Sequence, residues 1–255
     1  MKNFFKSFII SFSMYSILPM PRIDWDRESM KYTFFFLPWI GLLIGGLTYG
    51  WFLLSAVCGF NSVFTAVILV LLPIVLSGGI HLDGLIDTCD AIFSYGEREK
   101  KLEILKDPRT GAFGVIGCMV YLLLLLGSYS QLLQTPKYAA ILLMMFFISR
   151  SLGAIALLSV AKAKKDGLGT TFADAAGRRF NLTTLYVYLV AAFVVMLCFN
   201  WILGVVLAMV LGGYVAWYIR SIKRNFGGIT GDLTGFLISS SELVILFVTV
   251  IFSAL

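Results

Sequence analysis

Charge is scarce in this 255-residue chain. Only 13% of its residues are Asp, Glu, Lys or Arg and 59% are hydrophobic, whereas a soluble domain carries roughly 25% charged residues. The shortage excludes a water-soluble globular domain and identifies an integral membrane protein, in which lipid replaces the usual core. Cysteine offers no chemistry. Cys58, Cys89, Cys118 and Cys198 make no CxxC pair and no metal-ligand spacing, and three of them sit in apolar segments as packing residues. Cys89 lies in an acidic stretch but off its face and has no assigned role. There is one histidine, no GK[ST] sequence that would make a Walker A loop, no internal repeat and no soluble domain. The net charge of +6 follows the membrane-edge loops described below, and no nucleic-acid partner is expected.

What remains is a series of apolar runs. Residues Met1–Met20 resemble a signal peptide but have no small-residue cleavage site before Pro19; they read as an interfacial helix, followed by a polar linker, Arg22–Lys31. Seven spans follow: Phe34–Ala56, Val63–Leu76, Phe113–Leu133, Tyr138–Val160, Leu182–Leu197, Trp201–Ile219 and Gly235–Phe252. The second is short and ends at a glycine pair, as a span does that stops at a cavity. The charged segment Ile92–Pro108 has a weak apolar face, suited to a helix lying on the membrane. The expected fold is thus an all-α polytopic membrane protein of about seven transmembrane helices with an N-terminal interfacial helix. Residues 1–255 form one catalytic domain, with 1–31 as the interfacial and linker segment.

Of the 20 Lys and Arg, 18 fall before the first span, in Ile80–Gly111, in Ala161–Asn181 and in Arg220–Thr234; Lys137 and Arg150 are the exceptions. Seven spans put those four regions on one face, and the positive-inside rule makes it cytoplasmic, with the C-terminus outside. Thirteen of the 14 acidic residues lie there too. The polar active site is therefore expected at the cytoplasmic boundary of the cell membrane.

The densest chemistry is in Ser77–Asp90, SGGIHLDGLIDTCD, which opens a motif region at 77–114 and holds three Asp, the single His and three Gly. At about 100° per residue, helix from Asp83 onward puts Asp87 about 40° and Asp90 about 20° to either side of Asp83, on one stripe. The rise from Asp83 to Asp90 is about 10 Å, so one ion reaches Asp83 and Asp87 or Asp87 and Asp90 but not both ends. Such hard ligands suit Mg²⁺, which takes one or two carboxylates with water and substrate phosphate. Asp83, Asp87 and Asp90 are the candidate metal ligands, against the plainer reading of a solvated acidic helix.

Three further loops carry glycine beside charge. Lys106–Gly114, KDPRTGAFG, opens the third span; Gly111 and Gly114 let backbone N–H groups approach an anion, and Lys106 and Arg109 flank them. Lys162–Thr171, KAKKDGLGTT, holds Asp166 in a turn signal, with its lysines read mainly as positive-inside anchors. Arg224–Gly235, RNFGGITGDLTG, places Asp232 before the last span. Two charges remain within spans, Arg150 and Glu242. Each is costly in lipid unless paired or facing a cavity, so either they pair with each other or Arg150 reaches an anionic substrate.

With these residues in view, the chain resembles the cobalamin synthase family, the adenosylcobinamide-GDP ribazoletransferases of bacterial and archaeal membranes. The stretches that carry the resemblance are GGIHLDGLIDTCDA, LKDPRTGAFGV, KDGLGTTF and GGITGDLTG, with SILPMPRIDW and FFFLPWIGLLIGG near the N-terminus. GDLTGF at Gly231–Phe236 departs from an expected GDTLGA but keeps the Asp and the second Gly. The resemblance implies a Mg²⁺-dependent transfer in which the 5′-hydroxyl of α-ribazole, or of its 5′-phosphate, attacks the cobinamide-side phosphorus of adenosylcobinamide-GDP and releases GMP. Lys106, Asp107, Arg109, Gly111, Gly114, Arg150, Asp166 and Asp232 become candidate substrate contacts, and His81, Asp83 and Asp87 candidate catalytic residues. Either a carboxylate or His81 would take the hydroxyl proton. Arg109→Lys is expected to cost at least about tenfold in kcat/KM through loss of bidentate phosphate binding. Membrane lipid is the surrounding partner; a homo-oligomer or an assembly with other cobalamin-pathway enzymes is compatible with the sequence. The competing readings are a CDP-alcohol-type lipid phosphotransferase, whose Asp-Gly-x-x-Ala-Arg signature Leu85-Ile86-Asp87 does not match, and a transporter, whose acids would lie near the midplane.

Overall fold

The computed structural model describes residues 2–164 and 167–255. Among these residues the regular structure is helical apart from one backbone bridge. The helices are α1 (Lys2–Tyr15), α2 (Thr33–Cys58), α3 (Ser62–Leu76), α4 (Ile80–Phe93), α5 (Arg98–Ile104), α6 (Ala112–Leu132), α7 (Ile141–Ser159), α8 (Leu168–Ala175), α9 (Arg178–Phe199), α10 (Trp201–Phe226) and α11 (Gly231–Ala254). A 3₁₀ turn, Pro136–Tyr138, precedes α7. Six helices are long and apolar enough to cross a membrane, and α3 with α4 makes a seventh if that pair, bent by 95°, is one broken span. The chain is a multi-pass, all-α membrane protein, as its apolar runs predict.

Several helices overrun those runs. Arg178–Asn181, Arg220–Phe226 and Gly231–Thr234, read above as loop, are helical. Apolar periodicity marks where lipid ends, not where backbone hydrogen bonding ends. At two of these ends the charge has the sign that the helix dipole favours: Lys223 and Arg224 sit in the last turn of α10, and Asp232 in the first turn of α11, whereas α9 opens on Arg178 and Arg179.

The centre of the bundle is α7, of whose span 78% is buried, against 17% for α9, which therefore gives most of its surface to lipid. α2 crosses α7 closely through Gly41 and Gly45: a Cβ on either would stand 2.2 Å from Phe146 O or 2.5 Å from Leu142 O. Small residues at this spacing let membrane helices approach. Within this interior Arg150 Nη1 lies 2.6 Å from Glu242 Oε1, and Ser149 Oγ donates to the same oxygen at 3.0 Å. The two intramembrane charges neutralise each other, the arrangement that avoids an isolated charge in hydrocarbon.

The bend between α3 and α4 sets the site. Fifteen residues make α3 about 22 Å long, short of the roughly 30 Å hydrocarbon thickness. Gly78 and Gly79 then adopt φ of +65° and +75°, a left-handed backbone that glycine takes without strain. Their N–H groups donate to Val75 O and Ile74 O at 2.9 Å, closing α3. α4 turns across the N-terminal ends of α6 and α11. It fits there because Gly84 and Gly235 lack side chains: a Cβ on Gly84 would stand 2.6 Å from Asp232 O, and one on Gly235 3.2 Å from His81 O. The N-terminal segment closes the same end, with Ile17 N–H donating to Leu76 O at 3.0 Å and Ser7 Oγ to Ser29 O at 2.6 Å.

Candidate active site

Where these ends gather, a cavity of about 440 Å³ opens. Seven stretches among the described residues supply its wall: the end of α1, the start of α2, the first turn of α4, residues 105–106, Ala154 and Leu157 of α7, Lys164 with residues 167–170, and the first turns of α11. Its ionisable side chains among the described residues are His81, Asp83, Lys106, Lys164 and Asp232, with Tyr15 beside them.

Each is held for a local reason. Helix α4 begins at Ile80, three residues before the expected start, because Gly79 O receives the Asp83 N–H at 2.9 Å. Asp83 is exposed and Asp87 half-buried one turn on. Asp232 stands in the first turn of α11, whose N-cap is Thr230, accepting the Leu233 N–H at 3.2 Å. The loops that carry Lys164 and Asp232 are stitched together: Ile229 N–H donates to Ala161 O at 2.9 Å and Ala163 N–H to Ile229 O at 3.0 Å. Gly228 permits this, since a Cβ there would fall 2.2 Å from Ala161 O. Lys162 is taken up by an ion pair with Asp174 and a 3.3 Å bond to Thr170 O, so it braces α8.

Asp87 feels the negative charges of Asp83, Asp232 and Asp90, opposed by Lys164. Burial pushes the Lys164 ammonium below its ordinary range; Asp232 and Asp87 act to restore it, and Lys106 adds to the downward push. The cavity thus sets two cations against an acidic set drawn from two helices. The sequence reading gave Lys164 no individual role, and nothing in KAKKDG separates it from its neighbours; only the bridge at Ile229 turns this loop toward α11. Tyr15 was likewise missed, because a residue in an interfacial helix has no sequence signal for lining a site. Its ring lies 6.2 Å from that of His81 with 21° between their planes.

Several expected site residues lie elsewhere. Asp90 shares the helix of Asp83 and Asp87, but its carboxylate accepts the N–H groups of Gly111 (3.0 Å) and Gly114 (3.2 Å). The α6 amides expected to meet phosphate are thereby occupied from within the chain, and neither Asp90, Gly111 nor Gly114 lines the cavity. Arg109 donates from Nε (2.9 Å) and Nη2 (2.8 Å) to the two oxygens of Asp107, with 87% of its side chain exposed, outside the cavity wall. Hydrogen bonds from Arg109 hold the Asp107 carboxyl down to about 2. Arg150 is spent on Glu242 and borders only a small void of about 20 Å³ that it shares with His81. His81 Nε2 is buried without a protein partner. Asp166 lies outside the described residues.

No three His, Cys, Asp or Glu residues among those described converge as a ready-made metal cage. The donor set nonetheless fits Mg²⁺: hard carboxylates, two of them one helical turn apart, beside a cavity where substrate oxygens and water complete the shell.

A model of the family described as cobalamin-5-phosphate synthase matches residues 7–250. The chain belongs to the cobalamin-5-phosphate synthase family. Curated relatives match it over more than nine-tenths of its length. An adenosylcobinamide-GDP ribazoletransferase of Lachnoclostridium phytofermentans is 40% identical over 92% of this chain and 89% of its own length. One of Treponema denticola is 34% identical over 94% and 96%, and one of Clostridium botulinum strain Alaska E43 is 31% identical over 99% and 100%. No solved structure matches the chain. Family membership selects the corrinoid reading over the lipid phosphotransferase and the transporter.

Proposed function

We propose that this cavity is the site at which the chain, as an adenosylcobinamide-GDP ribazoletransferase, joins adenosylcobinamide-GDP to α-ribazole or its 5′-phosphate. The observation that carries the reading is the meeting of Asp83 and Asp232 with Lys106 and Lys164 on one cavity wall, with Asp87 behind them. An acidic set alone repels a diphosphate; lysines facing it supply the complementary charge.

The ribazole 5′-oxygen attacks the phosphorus next to the cobinamide. A new O–P bond forms, the bridging O–P bond of the diphosphate breaks, and GMP leaves with that bridging oxygen and its electron pair. Lys106 and Lys164 hold the phosphate oxygens and balance the charge that grows on GMP. Asp83 and Asp87 would hold Mg²⁺, which when bound would neutralise diphosphate charge and favour GMP departure. A carboxylate engaged with a dication is a poor proton acceptor; this leaves Asp232, on the opposite helix, to take the hydroxyl proton. His81 acts as a wall: its Nε2 is buried without a protein partner, and the residue borders both the cavity and the small void that it shares with Arg150.

The charge distribution supports a cytoplasmic position for the site and the N-terminus, with the C-terminus outside. The test is GMP release by protein purified in detergent, given adenosylcobinamide-GDP, α-ribazole and Mg²⁺. Corrinoid-dependent GMP formation that chelation stops is expected; formation of GMP without ribazole incorporation would point to a hydrolase instead.

A further inference from the structure

Helix α5 brings Lys106 to the cavity, yet little apolar packing holds α5. None of its seven residues is buried, and a helix this short does not stand by itself. Its attachments are polar. Arg98 Nε donates to Phe226 O at 3.0 Å and Lys101 Nζ to Asn225 Oδ1 at 2.7 Å, both at the end of α10. The ion pair of Lys100 with Glu103 stays within α5. Phe226 O is among the last carbonyls of α10, which lack donors within the helix, and a cation there also meets the negative end of the helix dipole. The Arg98 guanidinium lies against Gly227, whose φ is +74°; a Cβ there would overlap its Cζ and Nη2. Glycine thus serves both the left-handed backbone and the close approach.

Arg98 joins two arms of the site. One runs forward along α5 for eight residues, about 12 Å, to Leu105 and Lys106 on the cavity wall, where Lys106 N–H donates to Glu103 O at 2.9 Å. The other runs from Gly227 through Ile229, which is bonded to Ala161 and Ala163 beside Lys164, to Thr230 and Asp232. This second arm is held without Arg98, by the Ile229 bonds and the Thr230 cap. The first is not: among the described residues, only Lys101 adds another side-chain hydrogen bond from α5 to a different element. Arg98 itself does not line the cavity. Resting on the transfer reading above, we propose that Arg98 is a positioning residue, which ties α5 to the α10–α11 junction and so keeps Lys106 in register with Lys164 and Asp232 for the diphosphate. A displacement of about 1 Å at a group that holds a reacting phosphate is costly in rate. A plain positive-inside anchor would need only charge, whereas the Nε bond and the fit on Gly227 need the shape of arginine.

The test is a double-variant cycle of Arg98→Met with Lys106→Met, read as GMP release. Arg98→Met should lower kcat/KM for adenosylcobinamide-GDP about tenfold in the parent but less than twofold in the Lys106→Met background, because the group that it places is already gone. A merely structural role costs the same factor in both backgrounds. That result, or an Arg98→Met that matches the parent, overturns the proposal. If Arg98→Met elutes as an aggregate, Arg98→Lys, which keeps the charge, replaces it in the cycle, with a loss of at least threefold expected in the parent and none in the Lys106→Met background. Calorimetric titration with inorganic pyrophosphate and Mg²⁺ runs the same cycle without turnover. Binding weakened about tenfold by either variant, and no further by both, upholds the positioning role even if no GMP is released. GMP release with additive losses upholds the transfer and removes Arg98 from it.

Discussion

Two regions of this protein have the same ingredients and opposite fates. Loop 106–114 and the paired stretches 161–164 and 227–232 each bring glycine, a carboxylate and basic side chains to a helix N-terminus. In the first, the chain satisfies itself: Asp90 fills the α6 amides and Asp107 fills the Arg109 guanidinium. In the second, Lys164 and Asp232 face a cavity and Asp87 lies within electrostatic reach. A glycine-rich helix start is a competent anion site only if no internal carboxylate has already taken it. The difference between the regions lies in two partners, Asp90 on a neighbouring helix and Asp107 within the loop, which leave only Lys106 of the first loop on the cavity wall.

The comparison is broken most strongly at the open end. Asp83→Asn and Asp232→Asn should each lower GMP release at least about a thousandfold, roughly 4 kcal/mol in the barrier, while the protein still inserts and elutes as the parent does. On the proposed mechanism the first removes a cation ligand and the second the proton acceptor. They should therefore differ in their response to Mg²⁺: raising its concentration partly restores Asp83→Asn and leaves Asp232→Asn unchanged. Restoration of both would remove Asp232 from the proton-transfer role.

Lys164→Met comes next. It keeps the stem and deletes the charge, so kcat/KM should fall about ten- to a hundredfold, some 1.4–2.7 kcal/mol. Lys162→Met, which loses only the brace to Asp174 and Thr170, should keep kcat/KM within about threefold. Equal losses in the two variants would mean that this loop contributes general positive charge and no specific contact.

The third test moves to the closed end. Asp90→Asn retains the shape but loses the charged cap of α6, at a cost of about 0.5–2 kcal/mol. A lower melting temperature is expected, with a modest loss of activity and an unchanged Mg²⁺ requirement. A raised Mg²⁺ requirement would instead return Asp90 to the metal set, where its place on the acidic stripe had put it.

That stripe shows how far the sequence reached. Helical spacing correctly joined Asp83, Asp87 and Asp90 on one helix, because spacing is a property of α4 alone. It had no means of separating Asp90 from the others, because the amides that claim it belong to α6, 21 and 24 residues away. The same limit explains Lys164, whose direction depends on a bridge to Ile229, and Tyr15, whose exposure in an interfacial helix disappears once Ile17 is tied to Leu76. The spans and the Gly78–Gly79 break were legible because lipid acts on each helix separately. The pairing of Arg150 with Glu242 was legible as one of two outcomes, since the cost of an isolated buried charge leaves few others.

The smallest effect is expected at Arg109, and it reverses what the sequence alone suggested. A guanidinium that grips a diphosphate loses geometry when replaced by lysine, and at least a tenfold fall would follow. Here the fork is already closed on both oxygens of Asp107, at the solvent and away from the cavity wall. Because Arg109 depresses the Asp107 carboxyl to about 2, the pair stays ionised above that value and adds no step to a pH profile near neutrality. Exposed pairs of this kind contribute little to stability, and Lys retains the charge at the membrane edge. Arg109→Lys should therefore match the parent in kcat/KM within about twofold, while Lys106→Met, three residues earlier and on the cavity wall, falls at least about tenfold. Steady-state kinetics of the two variants at matched expression decide the matter. A tenfold loss in Arg109→Lys would show that the 106–114 loop turns inward when substrate binds, exchanging Asp107 for phosphate, and the closed region would then be a closed state of the same site.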